Sequence, residues 1–200
     1  TDAPCDEAYL ERIAGLCDAL RVPWYSEHLA FTGVPGRELA NLLPLPRTAQ
    51  VAEQVIGKIR VVQSHLPVPV VLENITYRFD YPDSVMSDGE FFNLICAETG
   101  AYVLLDVENL YLNGRNHGFD PRGFIDALPA GRVKAIHTAG GVEIDGVPVD
   151  SHDRPVPEGA LALLDYALIR QSPDSVIVER DRRLEAGEEI LADVARVKRH

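Results

Sequence analysis

Residues 68–74 read Val-Pro-Val-Val-Leu-Glu-Asn (VPVVLEN) and join a short apolar run to an acidic end. Apolar and polar residues do not alternate in this run, which is typical of a strand that is buried on both faces. Comparable runs occur at 102–109 (YVLLDVEN), 133–140 (VKAIHTAG) and 176–181 (VIVERD), with a shorter one at 22–28 (VPWYSEH). A helical pattern follows each run, so the sequence predicts an α/β fold with a parallel sheet and right-handed crossovers.

The helices are predicted from apolar residues that recur at helical spacing and from their end signals. Residues 87–90 (Ser-Asp-Gly-Glu) form a capping-box pattern for a helix that ends near Gly100. We expect a loop rich in Gly and Pro at 32–47 and a tight turn at Asp145-Gly146. The predicted helices cover 5–20, 48–66, 87–100, 120–128, 157–171 and 185–199. Two architectures fit this order, an open doubly wound sheet and a (β/α)8 barrel.

Length and charge limit the classes of function. The 200 residues fit a single domain, 1–200, and the formal net charge is −12. This acidity argues against nucleic acid as a partner, because phosphate binding needs clustered Lys and Arg. The sequence also lacks the G-x-G-x-x-G and G-x-x-x-x-G-K-[ST] patterns that hold nucleotide phosphates. No apolar run reaches the roughly 18 residues of a membrane span.

The cysteines point to a reducing compartment. Cys5, Cys17 and Cys96 are widely spaced and odd in number, which does not fit a disulfide framework. We therefore expect free thiols and a cytoplasmic location.

Side chains able to bind a metal ion stand at the end of every predicted strand: His28, Glu73, Asp106, His137 and Glu179. Asp150 and His152 follow in the loop after the fourth strand. In a parallel barrel the carboxyl ends of the strands open on one face, where the active site is built. The carboxylates have no Lys or Arg between them and would repel one another, a cost that a bound cation removes.

The ligand types also indicate which metals fit. Imidazole and carboxylate together suit iron, manganese or zinc. The candidates outnumber the three or four ligands of one catalytic zinc, so we predict two or three ions. Asn74 and Asn109 each lie close behind a ligand candidate in the sequence. They either orient that ligand by a hydrogen bond, coordinate the metal directly or serve as turn residues after the strand. His117, in the predicted loop after the third strand, is a further candidate.

Seven short motifs in order carry a family resemblance. They are 26–29 (SEHL), 72–74 (LEN), 105–109 (LDVEN), 116–118 (NHG), 136–140 (IHTAG), 150–152 (DSH) and 178–181 (VERD). From about residue 5 to residue 190 the chain resembles the TIM-barrel multinuclear non-haem iron oxygenases typified by the enzyme of methanobactin biosynthesis. The resemblance implies a site of two or three irons (Fe2+/Fe3+) and O2 as cosubstrate. It also implies an oxidoreductase that modifies a cysteine of a ribosomally synthesised precursor peptide, and a partner protein that binds the peptide leader. Members form oxazolone and thioamide groups or excise the cysteine β-carbon.

The resemblance also assigns roles to individual residues. Glu73 corresponds to a bridging carboxylate and His28 to a ligand of a further iron. The remaining ligands that it implies are Asp106, His137, Asp150, His152 and Glu179. The chain departs from the family at Glu108, where members usually have Asn, and at Gly141, where they often have His.

The resemblance implies a barrel that is incomplete here. Family members begin with about three further strands, one of which supplies another histidine ligand. The chain starts at Thr1 rather than Met, and its 200 residues fall short of the roughly 250 typical of such a barrel. We therefore expect the C-terminal part of a TIM barrel, with five β/α units.

Two other functions stay open at this stage. Divalent-metal isomerases and phosphate-cleaving hydrolases of the sugar-isomerase-like barrels also place Glu, Asp and His at strand ends. A non-catalytic binding or scaffold chain with a degenerate metal site is the other alternative.

Overall fold

A computed structural model describes residues 4–34 and 36–200 of the chain. Thr1 and, within the predicted 32–47 loop, Pro35 lie outside the described residues. The helices are α1 (Glu7–Leu20), α2 (Ala49–His65), α3 (Asp88–Thr99), α4 (Val107–His117), α5 (Arg122–Ala127), α6 (Glu158–Arg170) and α7 (Gly187–Val197). The strands are β1 (Tyr25–His28), β2 (Phe31–Val34), β3 (Arg37–Leu43), β4 (Val70–Glu73), β5 (Tyr102–Asp106), β6 (Val133–Thr138), β7 (Val142–Ile144), β8 (Val147–Val149) and β9 (Ser175–Val178).

The predicted parallel sheet is confirmed. Its order is β1-β4-β5-β6-β9, so strands that follow one another in the predicted β/α series are neighbours in space. A doubly wound sheet would reverse direction at a switch point, and this order does not. Five strands do not close an eight-stranded barrel. Within the described residues, β1 and β9 are therefore the free edges of a partial TIM barrel.

Burial on both faces of the sheet explains why the strand sequences do not alternate. On one face, Leu72, Leu105 and Ile136 belong to the main core, which packs under the helices. On the other face, Val71, Leu104 and Ala135 form a small second cluster. Successive side chains of a strand point to opposite faces, so both faces require apolar residues. No helix among the described residues has the length and apolar character needed to cross a membrane.

End signals account for the boundaries of several elements. The capping box of α3 is present: the Ser87 hydroxyl accepts from the Glu90 N–H, and the Glu90 carboxylate accepts from the Ser87 N–H. Gly100 ends α3 with a φ of 73°, in the left-handed region that favours glycine. Asp145 and Gly146, with φ of 52° and 78°, form the predicted turn between β7 and β8.

Three predictions about secondary structure were wrong. The 32–47 segment contains the antiparallel hairpin β2–β3 instead of a loop only. The β3 residues are mostly exposed, so no buried face imposed an apolar pattern that sequence analysis could detect. The strand predicted at 102–109 ends at Asp106, because the Asp106 carboxylate accepts from the Asn109 N–H and caps α4. His117 consequently closes α4 rather than lying in a loop.

Gly140, just beyond β6, supports the segment that leads to α6. Its carbonyl accepts from the N–H groups of Asp153 and Arg154, at 3.1 and 3.0 Å. A Cβ placed at Gly140 would lie 2.1 Å from the Pro155 carbonyl oxygen, which is far inside van der Waals contact. Only glycine therefore allows this approach of backbone to backbone.

We expect Gly140→Ala to lower the free energy of unfolding by about 2 kcal/mol, because the 153–155 backbone must shift. Urea denaturation followed by circular dichroism measures the change. Gly57→Ala is the matched control: Gly57 is exposed inside α2 with open space around it, so alanine should stabilise the chain by about 1 kcal/mol. Equal stability of Gly140→Ala and the unmodified chain would contradict the packing argument.

Candidate metal centre

The carboxyl ends of the central strands bring four ligand candidates together. Each member offers one ligand atom, and these atoms all lie within 4.8 Å of one another. We call this set the first group; its members are Glu73, Asp106, His137 and Glu179. Asp106 of β5 is in register with His137 of β6, and Glu73 ends the adjacent strand β4. Glu179 follows β9, and its N–H donates to the Thr138 carbonyl, which extends the ladder by one step.

Histidines link the carboxylates of the first group. His137 Nδ1 lies 3.3 Å from Glu73 Oε1 and 2.9 Å from Glu179 Oε2. His28, at the end of β1, approaches the other oxygen of Glu73, with 3.5 Å between its Nε2 and Glu73 Oε2. Glu73 thus stands between two imidazoles, one at each of its carboxylate oxygens.

A second group adjoins the first through Glu179. His152, Glu179 and Asp181 offer ligand atoms within 4.8 Å of one another. His152 Nδ1 lies 3.6 Å from Glu179 Oε2 and 3.6 Å from Asp181 Oδ2. Asp150, which is predicted to be a ligand, lies on the other side of the ring, with Oδ1 2.7 Å from His152 Nε2. Sequence analysis missed Asp181, although its Glu-x-Asp spacing after a strand places both side chains on one side.

Burial and unpaired polar atoms make the first group suitable for a cation. Asp106 is 0% exposed and Glu73 is 7% exposed. Asp106 Oδ2 and His137 Nδ1 are buried atoms without a hydrogen-bond partner, since His137 approaches Glu179 closely but without hydrogen-bond geometry. Among the ion pairs of the described residues, none joins a Lys or Arg to a carboxylate of this group. A divalent or trivalent ion would satisfy these atoms and offset their charge.

The crowding of charge shifts the pKa values of the group. Burial raises the pKa of Asp106 to about 7, although the Asn109 N–H opposes the shift. Burial alone would lower the pKa of His137, because it disfavours the charged imidazolium. The carboxylates of Glu179 and Glu73 outweigh this effect and raise the pKa of His137 to about 10. In the same way Asp150 and Glu179, against burial, raise the pKa of His152 to about 11. The two imidazoles in turn hold the pKa of Glu179 far below its usual range.

Asn74 and Asn109 belong to neither ligand group; they hold Asp106 in place. The Asn74 side chain makes two bonds to the Asp106 backbone, accepting from its N–H and donating to its carbonyl, both at 2.9 Å. The Asn109 N–H donates to Asp106 Oδ1 at 2.8 Å. The Asn109 side chain then donates to the Asn74 carbonyl at 3.1 Å. This closed set of bonds fixes the Asp106 carboxylate and leaves Oδ2 for another partner.

His117 lies apart from both ligand groups. Its ring stacks on Tyr77 with 4.4 Å between the ring centroids, and its Nε2 lies 3.0 Å from the Tyr77 carbonyl oxygen. Tyr77 also donates its hydroxyl to Asp88 at the start of α3. His117 therefore anchors the loop that follows β4.

Glu108 and Gly141, the positions where the resemblance implies a departure from the family, contact one another. Glu108 is buried in the first turn of α4, and its Oε1 accepts from the Gly141 N–H at 3.0 Å. Burial raises the pKa of this carboxyl to about 8. A Cβ at Gly141 would lie 2.2 Å from the Val149 carbonyl oxygen, so glycine permits this close packing.

A cavity of about 680 Å³ opens above both groups. His28, Glu73, His152 and Glu179 lie in its wall, together with Asp150 and Asp181. The end of β3 and the aromatic side chains of Tyr77 and Phe79 also line it. The hairpin that sequence analysis did not predict therefore forms part of the cavity wall.

Comparison with known proteins identifies a matching protein family. All residues, 1–200, match the model of the RiPP precursor modification enzyme MbnB/TglH/ChrH. A UPF0276 protein of Caulobacter vibrioides is 38% identical over 192 residues, which cover 95% of this chain and 69% of that protein. A UPF0276 protein of Acaryochloris marina is 33% identical over 190 residues, with the same coverage of 95% and 69%.

The solved structures give a likeness of fold. The D-psicose 3-epimerase of Clostridium cellulolyticum H10, solved with D-tagatose, matches with a TM-score of 0.58 and 13% identity. The match covers 96% of this chain and 69% of the epimerase. At this identity the likeness supports the TIM-barrel-like fold and carries no information on the reaction.

We expect metal binding to release at least two protons per chain at pH 7, because the raised pKa values keep His137 and His152 protonated and Asp106 partly protonated without metal. Affinity for Co2+ should accordingly rise between pH 6 and pH 9. Calorimetry in buffers of different ionisation enthalpy measures the protons released. His65→Gln, which changes a half-buried histidine at the end of α2 and outside both ligand groups, serves as control. Binding without proton release would contradict these raised pKa values.

Proposed function

This chain belongs to the family of the RiPP precursor modification enzyme MbnB/TglH/ChrH, and we propose that it is an iron-dependent oxidoreductase that uses O2 to modify a cysteine of a precursor peptide. The observation that carries the proposal is the first group, in which Glu73 and Asp106 are buried and which lies under an open cavity in a member of a peptide-modifying enzyme family. Oxazolone or thioamide formation and excision of the β-carbon are the candidate outcomes. Residues 1–200 act in this proposal as one domain, the C-terminal part of a TIM barrel.

The ligand set favours iron over softer metals. Three imidazoles, those of His28, His137 and His152, approach the carboxylates of Glu73 and Glu179. Asp106 adds a third carboxylate, and the cysteines lie elsewhere, with Cys17 and Cys96 buried. Such nitrogen and oxygen donors suit iron or manganese. Because Glu73 and Glu179 each approach two histidines, the site is proposed to hold two or three ions, with these carboxylates shared.

The side chains have separable tasks in this proposal. Glu73, Asp106, His137 and Glu179 would hold one ion, His28 would bind a neighbouring ion, and His152 with its carboxylates would bind another. When bound, iron would supply one-electron chemistry with O2. Asn74 and Asn109 keep Asp106 fixed, so that its buried oxygen stays aimed at the ion. Apolar packing beneath the strand ends limits the access of water from below.

The cavity is proposed to admit the peptide. Its 680 Å³ lies within the range of sites that bind small molecules or a few residues of a chain. Tyr77 and Phe79 offer apolar contact to a peptide, and His28 and Glu179 face the same space. A partner protein that presents the peptide leader and a cytoplasmic location belong to the proposal as well.

The alternatives make different demands on the site. A divalent-metal isomerase or hydrolase would hold zinc or manganese and consume no O2. A scaffold chain would bind no metal tightly. The identity of the bound metal and the consumption of O2 therefore distinguish the three candidate functions.

We expect the chain, loaded with Fe2+ without air, to hold about two or three irons and to change the mass of a cysteine-containing peptide encoded beside its gene when O2 is admitted. Mass spectrometry of the peptide and an oxygen electrode measure the reaction. A peptide with serine in place of the cysteine should stay unchanged. Glu73→Gln should lose iron and activity, because it removes a shared carboxylate charge. Glu53→Gln, an exposed position on α2, should retain both. Tight zinc binding without O2 consumption would overturn the proposal.

A further inference from the structure

Two arginines face the cavity from separate loops and have no acidic partner there. Arg78 lies in the loop after β4 and Arg182 in the segment after β9, and both line the cavity. Both side chains are exposed, and neither guanidinium forms a hydrogen bond or an ion pair with another described residue. The chain has 31 Asp and Glu against 19 Lys and Arg, so acidic partners are abundant. Two unpaired arginines at one cavity therefore point to a partner from outside the chain.

The loop after β4 is fixed on both sides of Arg78. Before it, the Tyr77 N–H donates to Asn113 Oδ1 at 3.0 Å. After it, Asp80 forms a salt bridge with the buried Arg47. Arg78 thus stands between two anchored positions, and its side chain is left to face the cavity.

The segment after β9 presents Arg182 in the same way. Before it, the Asp181 N–H donates to a carbonyl of the loop after β8 at 2.9 Å. On either side, Arg180 and Arg183 both pair with Glu189 of α7, at 2.8 and 3.5 Å. Of the arginines in this segment, Arg182 alone lines the cavity. Its neighbours hold the fold together, and Arg182 makes no contact of that kind.

The charges of the cavity are divided between its base and its loops. Glu73 and Glu179 lie at the strand ends and suit a cation. Arg78 and Arg182 are the only Lys or Arg among the described residues that line the cavity, and both suit an anion. A guanidinium offers N–H donors in a planar fork that matches the two oxygens of a carboxylate. Phe79, 44% exposed beside Arg78, adds apolar surface along which a peptide can lie.

We propose that Arg78 and Arg182 form a subsite that binds a carboxylate of the peptide substrate. The carboxylate is either the C-terminal group of the peptide or the side chain of an Asp or Glu near the cysteine. The proposal rests on the proposed function, because it places a peptide in the cavity. In this assignment the metal centre receives the cysteine, and the two arginines set which peptides are accepted.

The test is calorimetric titration of the chain with short peptides, with air excluded so that no reaction consumes them. Three acetylated pentapeptides carry a central cysteine. The first ends in an amide and has no charge, the second has a free C-terminal carboxylate, and the third has an amide end and a Glu beside the cysteine. We expect at least one acidic peptide to bind about tenfold more tightly than the uncharged one. The peptide that does so identifies the source of the carboxylate.

Variants of the two arginines link this preference to the subsite. Arg78→Gln and Arg182→Gln should each reduce the preference for the acidic peptide about threefold or more, and the double variant should abolish it. Affinity for the uncharged peptide should stay unchanged. Arg78→Lys should retain part of the preference, because it keeps the charge without the planar fork. Arg12→Gln is the matched control: it removes the same charge from an exposed position on α1, outside the cavity, and should keep the full preference.

Several results would overturn the subsite. They are equal affinity of the unmodified chain for all three peptides, an unchanged preference in either single glutamine variant, or an equal loss in Arg12→Gln. Thermal unfolding checks that the variants fold. If the preference behaves as expected while the iron-loaded chain leaves its peptide unchanged in O2, the proposed reaction fails and the subsite stands. If the peptide is modified equally well by the double variant and binding shows no preference, the subsite fails and the proposed reaction stands.

Discussion

Repulsion among buried carboxylates is the constraint on which the site depends. Glu73, Asp106 and Glu179 offer ligand atoms within 4.8 Å of one another, and Asp106 is wholly buried. Two unit charges 4 Å apart repel by about 4 kcal/mol at an effective dielectric constant of 20. In the metal-free chain, burial raises the pKa of Asp106, and neighbouring carboxylates raise the pKa values of His137 and His152 against the opposing effect of burial, so that protons offset part of this charge. A bound cation would replace those protons. The same carboxylate charge that destabilises the metal-free centre would therefore favour metal binding.

The parallel sheet makes this crowding unavoidable, and that is also why sequence analysis could predict it. Apolar runs without alternation identified the five strands, and parallel order sent their carboxyl ends to one face. His28, Glu73, Asp106, His137 and Glu179 are therefore near one another because of topology. The β2–β3 hairpin escaped prediction since its residues are largely exposed and no core imposes a pattern on them. Local propensity alone is too weak to reveal such a hairpin.

The sequence indicated which residues lie in the site more readily than it indicated what each residue does there. Spacing along the chain placed Asp150 beside His152 but could not indicate which ring nitrogen it would face. Tertiary contacts decide that question: the bond from Asp181 to the His152 carbonyl and the anchoring of Arg180 on α7 set the ring between two carboxylates. His117 illustrates the same limit, because its stacking on Tyr77 depends on how α4 packs against the loop after β4.

Glu108 and Gly141 take part in contacts that are separate from those of the first group. Glu108 holds the Gly141 N–H, Gly141 packs on the Val149 carbonyl, and Val149 lines the cavity directly before Asp150. Each contact in this series leads to the hairpin and the cavity wall, and none involves the side chains of Glu73 or His137. A substitution at Glu108 or Gly141 would therefore alter the shape of the cavity and the position of Asp150. The ligands of the first group are fixed separately, by strand register and by the bonds of Asn74 and Asn109 to Asp106. The first group and the β7–β8 side of the cavity wall are thus held in place by two different sets of contacts.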